Sequence, residues 1–558
     1  MNLHLIRKAR PIATLAAAML CIYSCVEIDN SIGTNFLPKD QLYKTYAIEV
    51  PITDIRMAMP DSLSGVSSTR FTVGAVRDDE FGLSTRASAF SLVPFYDTLD
   101  FGDPGTQTLK RFRLRAALDT TSISEPNQEY ILQNLNVYEL TKPVNKQADI
   151  NSKVEYDSSK RLTKGIPVLN GVSELIFEFS QEYAQKYMGI KQEDLKDMDT
   201  YLAKYPGIYL ETDAPEGNGG RINMYDLQLD YEDNYLSSCF AELSFKAKYK
   251  GVEKDTAFLF YFGAADFFDI DSLLTTASVG YLPQTCLNVS GQSEVSQGKV
   301  GAVGDYYTIE GGGGLKPMIP AAELRQMMID AISPYGDPKE AVINKATVVL
   351  PFEDPGDYSH IDQYPSILSP GVKIRYTADS LQFFILTDYS DKSQDQGDRN
   401  MSLFQYAPDF TYHAQSLLKL KDLEKISNYD LWFLIQYNET IVAQTQKMDS
   451  ETRDLYNQML YSSYYNDMYN GYGYGGYGGY GGYGYGGYGG YGGYGYGGYN
   501  NYYYYYMMSQ MLNQDTGTSY TSAIMLDTHR YYKGKFLGPT NTTGRVPTFK
   551  LVFSVPEQ

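Results

Sequence analysis

Apolar residues in this chain recur most often at every second position. Between Phe240 and Tyr249, Ala241, Leu243, Phe245, Ala247 and Tyr249 share one face, and Glu242, Ser244, Lys246 and Lys248 share the other. Successive side chains of a strand point to opposite faces, so this alternation predicts a half-buried antiparallel strand. Residues 549–555 behave the same way, with Phe549, Leu551, Phe553 and Val555 on one side. Three runs with little polar interruption, Ala257 to Phe262, Thr347 to Phe352 and Leu381 to Leu386, predict strands covered on both faces. Turn residues such as Asp103-Pro104-Gly105 and Asp354-Pro355-Gly356 punctuate these pieces. The pattern predicts a mainly β protein with antiparallel sandwich or jelly-roll-like sheets and a few short helices.

The helical spacings are fewer. Pro320 suits the first turn of a helix to about Ile332, with Leu324, Met327, Met328 and Ala331 on its buried face. Ser180 is placed to cap a helix through Met188. Glu193 to Lys204 predicts a further single helix with Leu195, Met198 and Leu202 aligned. All of these stripes read as core packing.

The first residues read as an export signal. Arg7, Lys8 and Arg10 precede an uncharged, mostly apolar run from Ile12 to Tyr23, which is too short to span a bilayer. The run ends in Ile22-Tyr23-Ser24-Cys25, which resembles a lipobox, although Tyr23 departs from the usual small or aliphatic residue. Cleavage before Cys25 would leave that thiol carrying a diacylglycerol and its amine a further acyl group such as palmitate. Several acyl chains anchor a protein durably where one does not. Cys21 is the rival acceptor, but Leu20 before it is large. The expected organisation is a signal peptide over 1–24 and an acylated Cys25 with its tether over 25–45. A β-rich region over 46–250 and a second over 251–455 follow. A Tyr/Gly-rich insertion occupies 456–515, and strands over 516–558 complete the second region.

That insertion differs in kind. From Met468 to Gln514 no side chain is charged, and Tyr alternates with one or two Gly before closing in Tyr502 to Tyr506. Glycine at this density is entropically costly to order, and no aliphatic side chains offset the cost. The stretch therefore reads as a disordered loop within the second region. Tyr472, Tyr474, Tyr477, Tyr480 and Tyr483 are its candidate partner contacts.

A formal net charge of −20 leaves no basic surface to neutralise phosphates, which argues against nucleic-acid partners. Only Cys239 and Cys286 follow the signal and anchor. In an oxidising compartment they either pair or remain two buried thiols. No later run is long and apolar enough to form a membrane helix.

Four short motifs, in order, carry a resemblance. They are residues 31–38 (Ser31-Ile32-Gly33-Thr34-Asn35-Phe36-Leu37-Pro38), the strand and turn from Phe71 to Gly82, Asn136 to Leu140, and Tyr205 to Leu210. Together they resemble the Bacteroidota lipoproteins that carry the domain of unknown function 4270. The resemblance implies a β-rich envelope lipoprotein and supplies no catalytic residues. In such lipoproteins the early acidic residues, here Glu27 and Asp29, resemble the signal for display at the cell surface.

Catalytic chemistry is hard to place. The three histidines beyond the signal, His360, His413 and His529, lack metal-ligand spacing, and no nucleophile elbow or nucleotide loop occurs. His360 lies among Glu353, Asp354, Asp357 and Asp362, which reads as a solvated acidic loop. Gly311 to Gly314 reads as a turn before the Pro320 helix. Asp391, Ser393 and Asp395 space oxygens as a calcium loop does, but Gly397 falls one place late and the closing Glu is missing. No cofactor is otherwise expected. The expected function is a non-enzymatic binding or accessory component of an outer-membrane complex, anchored by lipid and facing the cell surface. Its partners would be other outer-membrane proteins or glycans. A glycan-binding or adhesive lipoprotein is the alternative, and an envelope hydrolase the weakest reading.

Overall fold

The computed structural model describes residues 42–557 apart from positions 68, 97, 146–147, 228, 233–234, 264–283, 357, 378–379, 387–396 and 445–517. The chain is mostly β, with several antiparallel sheets and few helices. Two large cores organise it.

The first core lies between two sheets. One face is a ten-stranded sheet whose central strands are Ile208–Thr212, Gly82–Phe90, Arg70–Asp78 and Gly219–Asp226. The other is a five-stranded sheet in the order Leu175–Glu178, Thr108–Ala116, Phe240–Tyr249, Val252–Phe262 and Leu92–Pro94. Their inward residues meet in one cluster: Phe71, Val73, Phe90, Val137 and Ile208 from the first sheet, and Phe112, Leu243, Phe245 and Phe260 from the second. The alternation in Phe240–Tyr249 is realised as read, with Ala241, Leu243, Phe245 and Ala247 buried and Lys248 exposed. The Phe71 to Gly82 motif is a hairpin. The Asp78 carboxylate accepts the N–H groups of Glu80 and Phe81, both at 2.7 Å, and Gly82 turns the chain at φ +70°.

The second core is built by a four-stranded and a seven-stranded sheet with two helices, Ala321–Ile332 and Thr411–Leu418. Its outermost strand, Tyr43–Pro51, pairs antiparallel with Thr548–Pro556, from Tyr43↔Pro556 to Pro51↔Thr548. The start and end of the described chain are thus neighbours. Strands Val252–Phe262 and Cys286–Gln292 join the first core, so the sheets do not divide at residue 250. The strands Leu431–Gln444 and Thr518–Leu526 pair from Gln436↔Leu526 to Gln444↔Thr518. Residues 445–517, which include the Tyr/Gly stretch, are therefore inserted between two paired strand ends.

The helices follow their sequence signals with one correction. Ser180 accepts the Tyr183 N–H and starts Gln181–Met188, and Pro320 precedes Ala321–Ile332. The single helix expected over Glu193 to Lys204 is instead a 3-10 turn, Gln192–Leu195, followed by Met198–Lys204. The break comes from Asp197, whose side chain accepts the Thr200 N–H and so starts a new helix. Gly311 to Gly314 form a turn, but the strand Lys316–Ile319 intervenes before the helix.

Candidate functional site

Two features stand out above ordinary packing, one buried and one exposed. The buried feature joins the two cores. Strands Gly82–Phe90 and Cys286–Gln292 bring Ser84, Arg86 and Ser290 from the first core. The strands Tyr306–Glu310 and Lys316–Ile319, with the glycine turn between them, bring Glu310 and Lys316 from the second. The segment after Leu526 adds Asp527, His529 and Arg530. Glu310 and Lys316 are each only 1% exposed and Asp527 only 2%.

Each charge is met internally, as burial demands. Lys316 Nζ donates to the carbonyls of Glu310 (2.6 Å), Gly314 (2.9 Å) and Gly312 (3.0 Å). The Glu310 carboxylate accepts from Ser84 Oγ (2.7 Å), from Ser296 Oγ and from the Leu315 N–H (3.4 Å). Arg86 Nη1 donates to Ser290 Oγ (2.7 Å) and to the Thr85 carbonyl (2.9 Å). Asp527 accepts from Arg530 Nη1 (2.6 Å), Tyr532 Oη (2.8 Å) and the His529 N–H (2.9 Å).

Burial lowers Lys316 to about 7, against the opposing pull of Glu310. Burial likewise lowers Arg86 to about 10. Burial pushes Asp527 up, but Arg530 and His529 outweigh it and hold the carboxyl well below the usual range. This cluster is closed to water, with only Arg86 Nε and His529 Nδ1 left without a hydrogen-bond partner among its named side chains, and it fixes how one core seats on the other.

The glycines are what let it close. Gly312 sits at φ +58°, and a methyl group there would strike the Arg86 guanidinium. Gly312→Ala is expected to cost about 2 kcal/mol from the combined backbone strain and displacement. A urea midpoint within error of wild type would refute that.

The exposed feature is an apolar patch. Tyr130 is 64% exposed, Leu132 66%, Val172 53%, Val168 52%, Ile131 49% and Ile166 48%. Single exposed apolar residues need no explanation, but these six lie on two segments laid side by side. Val168 pairs with Asn134, the Leu135 N–H donates to the Pro167 carbonyl, and the Gly171 N–H donates to the Glu129 carbonyl. Arg221, 1% exposed, clamps both segments from below. Its Nη1 donates to the carbonyls of Gln128 (2.8 Å) and Ile131, and its Nη2 to that of Leu169 (2.7 Å). With those carbonyls turned in to the guanidinium, the apolar side chains are held outward on a rigid base.

Other positions of interest fall elsewhere. Cys25, the calcium candidate Asp391, Ser393 and Asp395, and Tyr472, Tyr474, Tyr477, Tyr480 and Tyr483 lie outside the described residues. Cys239 and Cys286 are not bonded: both are free, buried thiols in the first core, and Cys286 Sγ donates to the Arg70 carbonyl at 3.3 Å. Burial raises both thiols above their ordinary range. His360 contacts Gln363 through Nδ1 at 3.2 Å, and its neighbour Glu353 is instead paired with Lys535 at 2.7 Å. His413 and His529 are buried.

A shallow depression of about 390 Å³ lies where the Thr108–Ala116 and Phe240–Tyr249 pairing shifts register, lined by Lys110, Arg111 and Asp255. Its charges are paired, Lys110 with Asp255 (2.7 Å) and Arg111 with Glu242 (3.0 Å).

Sequence reasoning missed both main features. Lys316 follows a glycine turn without any sign of burial, and the sequence reading passed over Tyr130 to Leu132. No protein-family model, no curated protein and no solved structure matches this chain.

Proposed function

We propose that this chain is a lipid-anchored envelope protein that works by binding rather than catalysis, as an accessory component of an outer-membrane complex. Acyl groups on Cys25 hold it at the membrane. The partner is a protein surface that covers the patch formed by Tyr130, Ile131, Leu132, Ile166, Val168 and Val172. The observation that carries this reading is the patch itself: six exposed apolar side chains on a base clamped by a buried arginine. Apolar surface held rigidly in water binds with little ordering cost, which is the property of a docking face. The sequence from Arg7 to Cys25 supports the anchor.

The test is recovery of partners on the tagged, full-length protein from detergent-solubilised outer membrane, with and without Leu132→Asp plus Val168→Asp. The double variant is expected to lose its partner at least about tenfold while keeping its thermal midpoint, because truncating interface anchors costs more than about 1 kcal/mol each. Equal recovery by both forms would overturn the reading of the patch. For the anchor, Cys25→Ser is expected to abolish palmitate labelling and membrane fractionation, and persistence of either would refute it.

A further inference from the structure

The patch has a candidate occupant within the same chain. We propose that tyrosine side chains of residues 469–506 dock on the face formed by Tyr130, Ile131, Leu132, Ile166, Val168 and Val172. The inference rests on the reading of that face as a binding surface, and it names what fills the face when no other partner does.

The first support is chemical. The chain carries a net charge of −20, yet Met468 to Gln514 contain no charged side chain. A tyrosine lays a flat apolar ring on an apolar surface and keeps its hydroxyl in water, so no ion is desolvated on contact. A second whole copy of this acidic chain would bring its own negative charge to the same face.

The second support is topological. The stretch departs from Gln444 and returns at Thr518, two residues paired with each other, so both its ends are rooted at one point of the body.

The third support is reach. From Thr518 the strand runs to Leu526, about 27 Å at ~3.3 Å per residue. Beyond it the Tyr531 N–H donates to Ser122 Oγ at 3.0 Å. The adjoining Thr121 Oγ1 donates to the Gly171 carbonyl at 2.7 Å, next to Val172. The root and the face are therefore separated by about 60 Å at most, taking ~3.5 Å per residue along this path. Tyr480 stands far enough along the insertion for a contour of about 120 Å from Gln444. The linker is twice as long as the journey.

The test places a photoreactive benzoylphenylalanine at position 168, and separately at 132, in the full acylated chain. Irradiation is expected to give a monomeric product in which residues 469–506 are joined to the probe, with a yield unchanged over a hundredfold dilution. Three results would overturn the proposal: no product with that segment, a dimeric product that fades on dilution, or adducts only to lipid in phosphatidylcholine vesicles.

The outcome is separable from that of the binding function. If Leu132→Asp plus Val168→Asp loses its envelope partner but the probe never captures residues 469–506, the function stands and this inference fails. If the probe captures the segment but partner recovery is unaffected, the inference stands and the binding function fails.

Discussion

Glu310→Ala is expected to lower the unfolding free energy by about 3–5 kcal/mol, the range for breaking a buried charge cluster by removing one member. The side chain is 1% exposed and accepts from Ser84, Ser296 and the Leu315 N–H. Alanine leaves those donors without their acceptor, and each orphaned group costs about 1–3 kcal/mol. It also removes the acidic charge that most opposes the effect of burial on Lys316. Glu310→Gln keeps the shape and one acceptor, so its loss is expected to be smaller. Glu310→Leu combined with Lys316→Met is expected to be less damaging than the sum of the two single changes, because the charge left unbalanced by either alone is gone. Urea unfolding at pH 7 for these five variants, the two single changes included, decides this. A loss below about 1 kcal/mol for Glu310→Ala, or strict additivity in the double variant, would show that the cluster does not hold the cores together.

The second large effect is acid lability through a buried histidine. His413 is 6% exposed, and its Nε2 lies 3.0 Å from the Tyr429 carbonyl. Burial lowers its pKa from 6.5 to about 4, against the smaller opposing effect of that hydrogen bond. The folded pKa lies below the unfolded one, so the unfolded chain takes up the proton first as pH falls. The stability linked to this group is therefore intact above pH 6.5 and is lost progressively between 6.5 and about 4. At pH 4.5 the loss amounts to about 2–3 kcal/mol. His529 acts in the same direction: burial lowers it to about 3, with Asp527 opposing and Arg70, Arg530 and Arg86 adding to the effect. His413→Gln keeps a donor for Tyr429 but does not titrate, so its stability should fall less steeply over that window. Parallel pH profiles for wild type and variant would refute the assignment.

Much of the fold is legible residue by residue. The face shared by Leu243 and Phe245, the cap at Ser180 and the proline before Ala321 each act through neighbours a few positions away. Reading them requires no knowledge of the rest of the chain. The split of the helix expected from Glu193 lies at the limit of such reading, because Asp197 suits both a helix interior and a cap. The exposed apolar face was not legible. Tyr130, Ile131 and Leu132 have the composition of a core segment, and only their placement over Arg221, some ninety residues later in the chain, leaves them in water.

What the sequence determined alone is therefore local: strand periodicity, helix starts and a tyrosine-rich stretch without charge. The tertiary structure decided the rest. It paired Tyr43–Pro51 with Thr548–Pro556, buried Lys316 among carbonyls, left Cys239 and Cys286 as free thiols, and turned an apolar segment outward. The physical reason is that periodicity reports only that a side chain has a buried or exposed face. Which distant strand covers that face, and whether any does, depends on closure of the whole set of sheets.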